Sequence, residues 1–133
     1  MKIIIAGGRN ITYSPEKIDK VVKTAEKSFG QKMTELVCGM APKGIDLSAV
    51  KWYKKYGKPR GIKLKPMPAD WEGARKKFGS HKQAGHIRNA AMADYAEGLI
   101  LIWDQKSPGS TSMYTEALLR GFPILEVLVS KEA

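Results

Sequence analysis

A turn of small polar residues follows the most apolar stretch of the chain, and its composition suits phosphate binding. Residues 99–103 are all apolar, which predicts a strand buried on both faces. Ser107, Gly109, Ser110 and Thr111 then lead into a helical pattern. The first amide N–H groups of a helix are unpaired and can bind an anion, while glycine lets a ligand approach the backbone. The same hydroxyl groups can simply cap the helix, so this turn alone leaves both interpretations open.

A second turn rich in glycine ends the first predicted strand. Gly7 and Gly8 permit a tight turn there, and Arg9 can reach an anion. The spacing departs from the GxGxxG fingerprint, because Arg9 and Thr12 stand where that motif requires other residues. A standard dinucleotide-binding loop is therefore disfavoured at this turn.

A third turn of this kind runs from Gly39 to Gly44 and leads into a helix whose first turn holds Asp46. A carboxylate at that position can complement the helix dipole, or it can accept hydrogen bonds from a ligand hydroxyl group. The residues alone leave both roles open. Cys38 ends the apolar run before the turn, and we expect a buried, inert thiol there rather than a nucleophile.

Residues 66–83 interrupt the alternation of strand and helix patterns, and we predict that they form a long connection. Trp71, within this connection, can stack on a nucleotide base, with the cationic residues 75–77 near the phosphates. It can equally plug the edge of the core. The sequence does not decide between these two roles.

A helix predicted over residues 83–97 carries Arg88 and Asn89 in its first part. His86, on the same helix, has no second histidine or cysteine at a metal-ligand spacing, and His81 is the only other histidine of the chain. We therefore expect no metal site and no cofactor.

The composition is that of one soluble domain spanning residues 1–133. No apolar run approaches the roughly 20 residues that a membrane helix needs, and the apolar run near the N-terminus is too short for a signal peptide. The single cysteine excludes an internal disulfide. These features predict a cytoplasmic protein that makes no membrane contact.

The net charge of +10 comes entirely from the middle of the chain. Residues 43–88 hold 13 Lys and Arg against 3 Asp and Glu, whereas the remainder holds 10 of each. Such an excess favours an anionic partner, either a nucleic acid or a phosphorylated small molecule. For Lys51, Lys54, Lys55 and Lys58, a solvated surface that aids solubility is the favoured interpretation.

Strand and helix patterns alternate along the whole chain, with five strands and four intervening helices. This alternation predicts an α/β fold with a parallel sheet. The first and fourth strands are the most apolar, so we predict a three-layer, Rossmann-like sheet in the order 3-2-1-4-5, with helices on both faces. The lysine-rich third strand, over residues 60–65, is expected at an edge. The three turns then meet at the carboxyl ends of adjacent strands, where open α/β sheets bind ligands.

Helical spacing also assigns faces to the core. Trp52, Tyr53 and Tyr56 can serve the core or a dimer face equally well, which leaves a homo-oligomer open. The residues that spacing directs inward on the last two helices are Ile87, Ala90, Ala91 and Met92, followed by Met113, Ala117, Leu118 and Leu119.

Five stretches together resemble the SLOG superfamily of Rossmann-like proteins, and in particular its YspA/YpsA-related branch, which is frequent in bacteria and phages. They occur in the family's order and cover nearly the whole chain, at residues 7–9, 38–46, 68–71, 84–92 and 107–111. The resemblance implies a modified Rossmann domain that binds a nucleotide or a nucleotide-derived ligand, such as an ADP-ribose or NAD derivative. It implies no dedicated metal.

A related branch, the LOG phosphoribohydrolases, cleaves nucleoside monophosphates to a base and ribose 5-phosphate. Arg88 matches the arginine that this branch carries before its fourth strand, whereas Met113 stands where the branch has its first glutamate. Hydrolysis at an anomeric carbon needs a carboxylate. The candidates for that role are Glu116, Asp46 and Asp70.

Three functions are consistent with these features. The first is a module that senses or sequesters a nucleotide, with phosphates on the amides of residues 109–111, a ribose hydroxyl on Asp46, and Trp71 or Trp103 beside the base. The second is an N-glycosidic hydrolase that acts on nucleotides. The third is nucleic-acid binding through residues 43–88, as in the related DprA type of domain. The predicted ligand-binding residues are Gly7, Gly8, Arg9, Gly39, Gly44, Asp46, Asp70, Trp71, Arg88, Asn89, Trp103, Ser107, Gly109, Ser110 and Thr111.

Overall fold

Five parallel strands form one sheet in a computed structural model that describes residues 1–129. The strands are β1 (Lys2–Gly7), β2 (Glu35–Cys38), β3 (Lys63–Pro66), β4 (Gly98–Trp103) and β5 (Ile124–Leu128). Their order across the sheet is β3-β2-β1-β4-β5, which confirms the predicted topology. The two most apolar strands, β1 and β4, pair in the middle, and the lysine-rich β3 lies at an edge.

Helices cover both faces of the sheet, so the fold is a three-layer, Rossmann-like α/β arrangement. The helices are α1 (Pro15–Phe29), α2 (Gly44–Trp52), α3 (Trp71–Phe78), α4 (Lys82–Tyr95) and α5 (Pro108–Arg120). A π-helical turn (Tyr53–Gly57) and a 3-10 turn (Lys58–Arg60) continue α2. On the side of α1 and α2 the core contains Ile3, Ile5, Ile18, Val22, Ile100 and Ile102, and on the other side it contains Ile4, Val37, Met92, Leu99, Leu101 and Met113.

Helix α3 lies within residues 66–83, so the prediction of a connection without regular structure is wrong for residues 71–78. The Asp70 carboxylate accepts a hydrogen bond of 2.9 Å from the Gly73 amide and caps the helix. Gly79 ends it in the left-handed region, at φ +72°. Most positions of this short helix face solvent, so its residues show little apolar periodicity, and the described residues contain five α-helices rather than four.

The face of α4 that packs on the sheet also differs from the prediction. Ile87 is 51% exposed and Ala91 is exposed, whereas Asn89 and Met92 are buried. An asparagine can take a buried position when its amide is hydrogen-bonded, and the Asn89 Nδ2 donates to the Gly109 carbonyl over 3.1 Å. Spacing alone therefore placed Met92 correctly, was wrong for Ile87 and Ala91, and missed Asn89.

Helix α5 shows the same kind of difference. Met113 and Ala117 face the core as predicted, together with Ser110. Leu118 and Leu119 do not, since they are 56% and 75% exposed. The prediction for these two leucines is wrong because a helix on a sheet buries only a narrow stripe, and the chain turns the other apolar positions outward.

An ion pair between the buried Asp19 and the exposed Arg60 joins α1 to the turns that follow α2. The Asp19 carboxylate accepts hydrogen bonds from the Trp52 Nε1 at 3.0 Å and from the two terminal nitrogens of Arg60 at 2.6 and 3.0 Å. The Arg60 guanidinium lowers the pKa of Asp19 to about 2. Trp52 is completely buried here, so it belongs to the core and not to a dimer face.

The ionised state of Asp19 should make stability depend on acid pH. Its folded pKa of about 2 lies below the unfolded value of 3.8, so its contribution is complete above about pH 4 and is lost as the pH falls towards 2. The difference corresponds to roughly 2 kcal/mol. Urea unfolding at pH 5 and pH 2.5 measures it, and Asp19→Asn should flatten this part of the pH profile. An equal pH dependence in the variant would contradict the assignment.

No helix among residues 1–129 is long and apolar enough to cross a membrane.

Candidate functional site

A cleft of about 510 Å³ opens at the carboxyl ends of the central strands, between the turns that follow β1, β2 and β4. Topology brings these turns together although they are distant in sequence, because parallel strands all end at the same edge of the sheet. Most of the predicted ligand-binding residues line the cleft: Gly7, Arg9, Gly39, Asp46, Trp71, Arg88, Asn89, Ser107, Gly109 and Ser110.

The Arg88 guanidinium forms one wall of the cleft and is held there by two hydrogen bonds. Its Nη1 donates to the Gly39 carbonyl over 2.7 Å, and its Nε donates to the Asn89 Oδ1 over 3.1 Å. Burial lowers the pKa of Arg88 from its usual value, although Asp46 opposes that change. Within the described residues its Nη2 makes no hydrogen bond, so this end of the planar group can bind an anion in the cleft.

The orientation of Arg88 depends on Asn89, which bridges to the turn after β4. Because the Asn89 Oδ1 accepts from Arg88, its Nδ2 must point the other way, where it donates to the Gly109 carbonyl at 3.1 Å and to the Ser112 Oγ at 3.3 Å. The asparagine is 4% exposed. It therefore fixes the position of the Arg88 side chain relative to the N-terminus of α5.

Asp46 places a buried carboxylate in the same cleft. One oxygen, Oδ2, accepts a hydrogen bond of 3.1 Å from the Ala41 amide. The other oxygen, Oδ1, accepts no hydrogen bond within residues 1–129. Every fully buried side-chain oxygen of the described residues has a hydrogen-bond partner, so Oδ1 is not fully buried and is open to the cleft. Burial raises the pKa of Asp46, while the Ala41 amide, Arg88 and Arg9 act in the opposite direction.

Gly39 makes the approach of these two charged groups possible. A Cβ atom at this position would lie 2.3 Å from the Arg88 Nη1 and 3.0 Å from the Asp46 Oδ2. Any side chain here would therefore displace the guanidinium from the wall of the cleft. The neighbouring Cys38 is fully buried beneath the turn, and burial, together with Asp46, raises the pKa of its thiol to about 12. This confirms the expectation of a buried thiol, and a raised pKa keeps such a thiol protonated near neutral pH.

The N-terminus of α5 closes the cleft on the side of β4. The Ser107 hydroxyl accepts from the Ser110 amide at 3.4 Å, and the Thr111 amide donates to the Ser107 carbonyl at 2.9 Å. The Ser110 and Thr111 amides are thus both occupied, which corrects their predicted role as phosphate donors. Gly109, in the first turn, has no acceptor within its own helix, and its amide remains suited to an anion.

Trp71 supplies an aromatic surface at the rim of the cleft. It is the first residue of α3, lines the cleft, and is 45% exposed, so it does not plug the core. Met92 and Met113, which are buried, contribute an apolar floor. A cleft with an apolar floor, an exposed tryptophan and two arginines can take a ligand that combines a flat ring with an anionic group.

The structure removes Trp103 and Glu116 from the predicted site. Trp103 is 5% exposed, its ring stacks on Tyr114 with centroids 6.0 Å apart, and its Nε1 donates to Glu126 over 3.0 Å. It cannot flank a base in the cleft. Glu116 does not line the cleft, and its carboxylate accepts from Arg120 at 3.4 Å on the side of α5 that faces α4.

Three further predicted residues shape the site without lining the cleft. The Asp70 carboxylate does not line the cleft but caps α3, where it accepts from the Gly73 amide. The Gly8 carbonyl accepts from the Ile45 amide over 3.1 Å. Gly44 has φ +74°, and a Cβ there would lie 2.4 Å from the Gly8 carbonyl oxygen, so these glycines let two turns pack together.

Sequence reasoning missed one part of the lining, the loop between Gly39 and Gly44. Met40, Ala41, Pro42 and Lys43 all border the cleft. Of these four residues, Ala41 is the one whose backbone amide donates a hydrogen bond to Asp46 within residues 1–129. The glycines on both sides marked the loop as a turn, but a spacing pattern carries no information on which of its side chains face inward.

Comparison with protein-family models, with curated proteins and with solved structures finds no match for this chain.

Proposed function

We propose that this chain is a nucleotide-binding domain of the SLOG type, which senses or sequesters a nucleotide or a nucleotide-derived ligand such as an ADP-ribose or NAD derivative. The ligand would occupy the cleft at the carboxyl ends of β1, β2 and β4. The protein would bind this ligand without turning it over.

One observation carries the proposal: a buried carboxylate with one open oxygen shares the cleft with two arginines. The oxygen of Asp46 can accept hydrogen bonds from a sugar diol, and Arg88 and Arg9 can neutralise a phosphate. A purely anionic ligand would be repelled by Asp46, and a neutral sugar would supply no anionic group to the arginines. A sugar phosphate satisfies both groups at once.

The remaining parts of the cleft suit the remaining parts of a nucleotide. The Gly109 amide at the start of α5 can contribute to the phosphate site, because a helix N-terminus favours negative charge. Trp71 can stack on a base at the rim. Lys43, which also lines the cleft, adds a cation for a second phosphate group.

The alternative is an N-glycosidic hydrolase, and one specific observation favours it. Of the three candidate carboxylates, Asp46 alone lines the cleft, and burial raises its pKa, as in carboxylates that act in acid–base chemistry. Glu116 and Asp70 are each engaged in other contacts. If the protein turns its ligand over, Asp46 is therefore the residue to test.

A melting experiment combined with product analysis tests the proposal and separates it from the alternative. The protein is heated with nucleoside mono-, di- and triphosphates, NAD and ADP-ribose, and the same samples are then analysed by liquid chromatography. At 100 times the dissociation constant, binding should stabilise the fold by about 2.7 kcal/mol. A shift with intact ligand supports a binding module, and release of free base supports the hydrolase.

Asp46→Asn should remove both the melting shift and any turnover, because the single oxygen of an asparagine cannot accept from the Ala41 amide and from a sugar diol at the same time. Glu72→Gln, an exposed substitution on α3, is the matched control and should behave like the unchanged protein. An unshifted melting temperature with every compound would contradict the proposal. Binding of oligonucleotides that collapses between about 50 and 200 mM salt would then favour nucleic-acid binding through residues 43–88.

Gly39→Ala should weaken ligand binding while leaving the fold intact. The new methyl group would meet the tip of the Arg88 side chain, and the guanidinium can move aside only by giving up its hydrogen bonds to the Gly39 carbonyl and to Asn89. We expect affinity to fall about tenfold and the free energy of unfolding to fall by about 1 kcal/mol, the usual net contribution of a hydrogen bond or two. Calorimetric titration and urea unfolding measure the two quantities, and a much larger loss of stability would argue for a structural role instead.

A further inference from the structure

The two edges of the sheet differ in how they are protected. The outer edge of β3 carries Lys63, Lys65 and Pro66, which are the residues that discourage pairing with another strand. The edge formed by β5 has none of these. Its sequence is Ile-Leu-Glu-Val-Leu, and its one charged residue, Glu126, is held towards β4 by the Trp103 Nε1.

The β5 edge is also incompletely covered. Leu128 is 58% exposed, and the other four residues of the strand are only partly buried. Within residues 1–129 no strand pairs with the outer side of β5. An apolar edge strand with free backbone groups is a surface on which another strand can add.

Helix α5 extends this apolar surface on one side. Glu116 and Arg120 face α4, where Arg120 binds Asp94 at 2.7 Å. Tyr114 and Leu118 are four residues apart and lie on the opposite flank, since residues 116 and 118 are separated by about 200° around the helix. Leu118 therefore points towards the side of the sheet that ends at β5, and it is 56% exposed.

The charge distribution indicates what can cover this surface. Residues 98–129, which form β4, α5 and β5, hold 2 Lys and Arg against 3 Asp and Glu. The excess of 10 positive charges lies in residues 43–88, which include the opposite edge, β3. A nucleic acid or an acidic protein is attracted to the β3 side. A second copy of this chain can meet β5 without bringing the basic segments together.

We propose that the protein forms a two-fold symmetric dimer through β5, with the two strands antiparallel in one continuous ten-stranded sheet. A two-fold axis places the same patch on both sides of the interface, so Leu128 and Leu118 of each copy are covered by the other. The cleft lies at the carboxyl ends of β1, β2 and β4, away from this edge, and it stays open in such a dimer. The proposal is independent of which ligand occupies the cleft.

The test is the mass in solution, measured by sedimentation or by size exclusion with light scattering. At about 100 μM, which saturates an interface of micromolar affinity, we expect twice the 14.7 kDa of one chain. Leu128→Lys and, separately, Leu118→Lys should weaken association by about 100-fold, because a two-fold interface contains each substitution twice. Both positions are exposed in the single chain, so thermal melting should show that each variant folds.

Ile87→Lys is the matched control. Ile87 is as exposed as Leu118, but it lies on α4 beside α3, on the basic side of the molecule. This variant should remain dimeric. Interfaces of micromolar affinity are filled at about 100 μM. A monomeric mass for the unchanged protein at about this concentration would therefore overturn the proposal. So would a dimer that survives both leucine substitutions or dissociates on Ile87→Lys.

Discussion

Replacing Arg88 with glutamine is expected to weaken binding of the nucleotide ligand by about 10- to 100-fold, the equivalent of one or two charge-assisted hydrogen bonds. Among the cationic groups that line the cleft in residues 1–129, the guanidinium is the one held by hydrogen bonds, to the Gly39 carbonyl and to Asn89. Glutamine retains a side chain of similar reach but has neither the charge nor the planar fork. Calorimetric titration with the ligand identified by melting gives the affinity directly.

Two companion variants make this result interpretable. Arg75→Gln removes an exposed arginine of α3 that does not line the cleft, and it should leave nucleotide affinity unchanged. Arg88→Lys keeps the positive charge but lacks the planar guanidinium. Its nucleotide affinity should lie between that of the unchanged protein and that of Arg88→Gln. Equal losses for Arg75→Gln and Arg88→Gln would indicate a diffuse electrostatic effect of the basic segment and would contradict a built phosphate site.

Gly7→Ala is expected to lower the free energy of unfolding by about 3 kcal/mol, which is about 10 °C in melting temperature for a domain of this size. A Cβ atom at Gly7 would lie 2.0 Å from the Ile102 carbonyl oxygen and 2.8 Å from the Ile45 Cγ1. The first of these atoms belongs to the backbone of β4, which cannot move without breaking its pairing with β1. Thermal and urea unfolding give the size of the effect.

Gly85→Ala provides the contrast. Gly85 lies inside α4, and a Cβ there would meet only the tip of Trp71, at 3.9 Å. Alanine in a helix interior is favoured over glycine, so this variant should be as stable as the unchanged protein or more stable by about 0.5 kcal/mol. If both variants melted at the same temperature, the close approach of β1 and β4 at Gly7 would not matter to stability.

The features that the sequence predicted correctly depend on neighbouring residues or on a repeating pattern. In the sequence, Ser14 followed by Pro15 is a helix start and Gly30 is a helix stop, and in the structure they begin and end α1, with Gly30 in the left-handed region at φ +73°. Capping and turn residues bind backbone groups only a few positions away, so the ends of a helix can be predicted from the sequence alone. The uniform apolarity of β1 and β4 likewise indicated the middle of the sheet, and the strand order followed from it.

The cleft was predictable for a related reason. Turns after parallel strands must gather at one edge, so three turns of small residues in the sequence become three neighbours in space. Asp46 was a candidate because it follows one of those turns, and Arg88 because it lies in the first part of the helix predicted over residues 83–97 and matches an arginine of the LOG branch that the chain resembles. The sequence could not show that Asp46 keeps one oxygen open while the Ala41 amide binds the other.

By itself the sequence determined the alternation of elements, their caps and the parallel sheet, because these depend on local conformational preferences and on hydrophobic periodicity. Only the tertiary structure decided that Trp71 faces the cleft while Trp103 is buried against Tyr114, and that Glu116 turns to Arg120. It also decided that Leu118 faces outward. The rotation of a helix about its axis and the direction of a side chain depend on partners that are distant in sequence, and no spacing within a single helix records those partners.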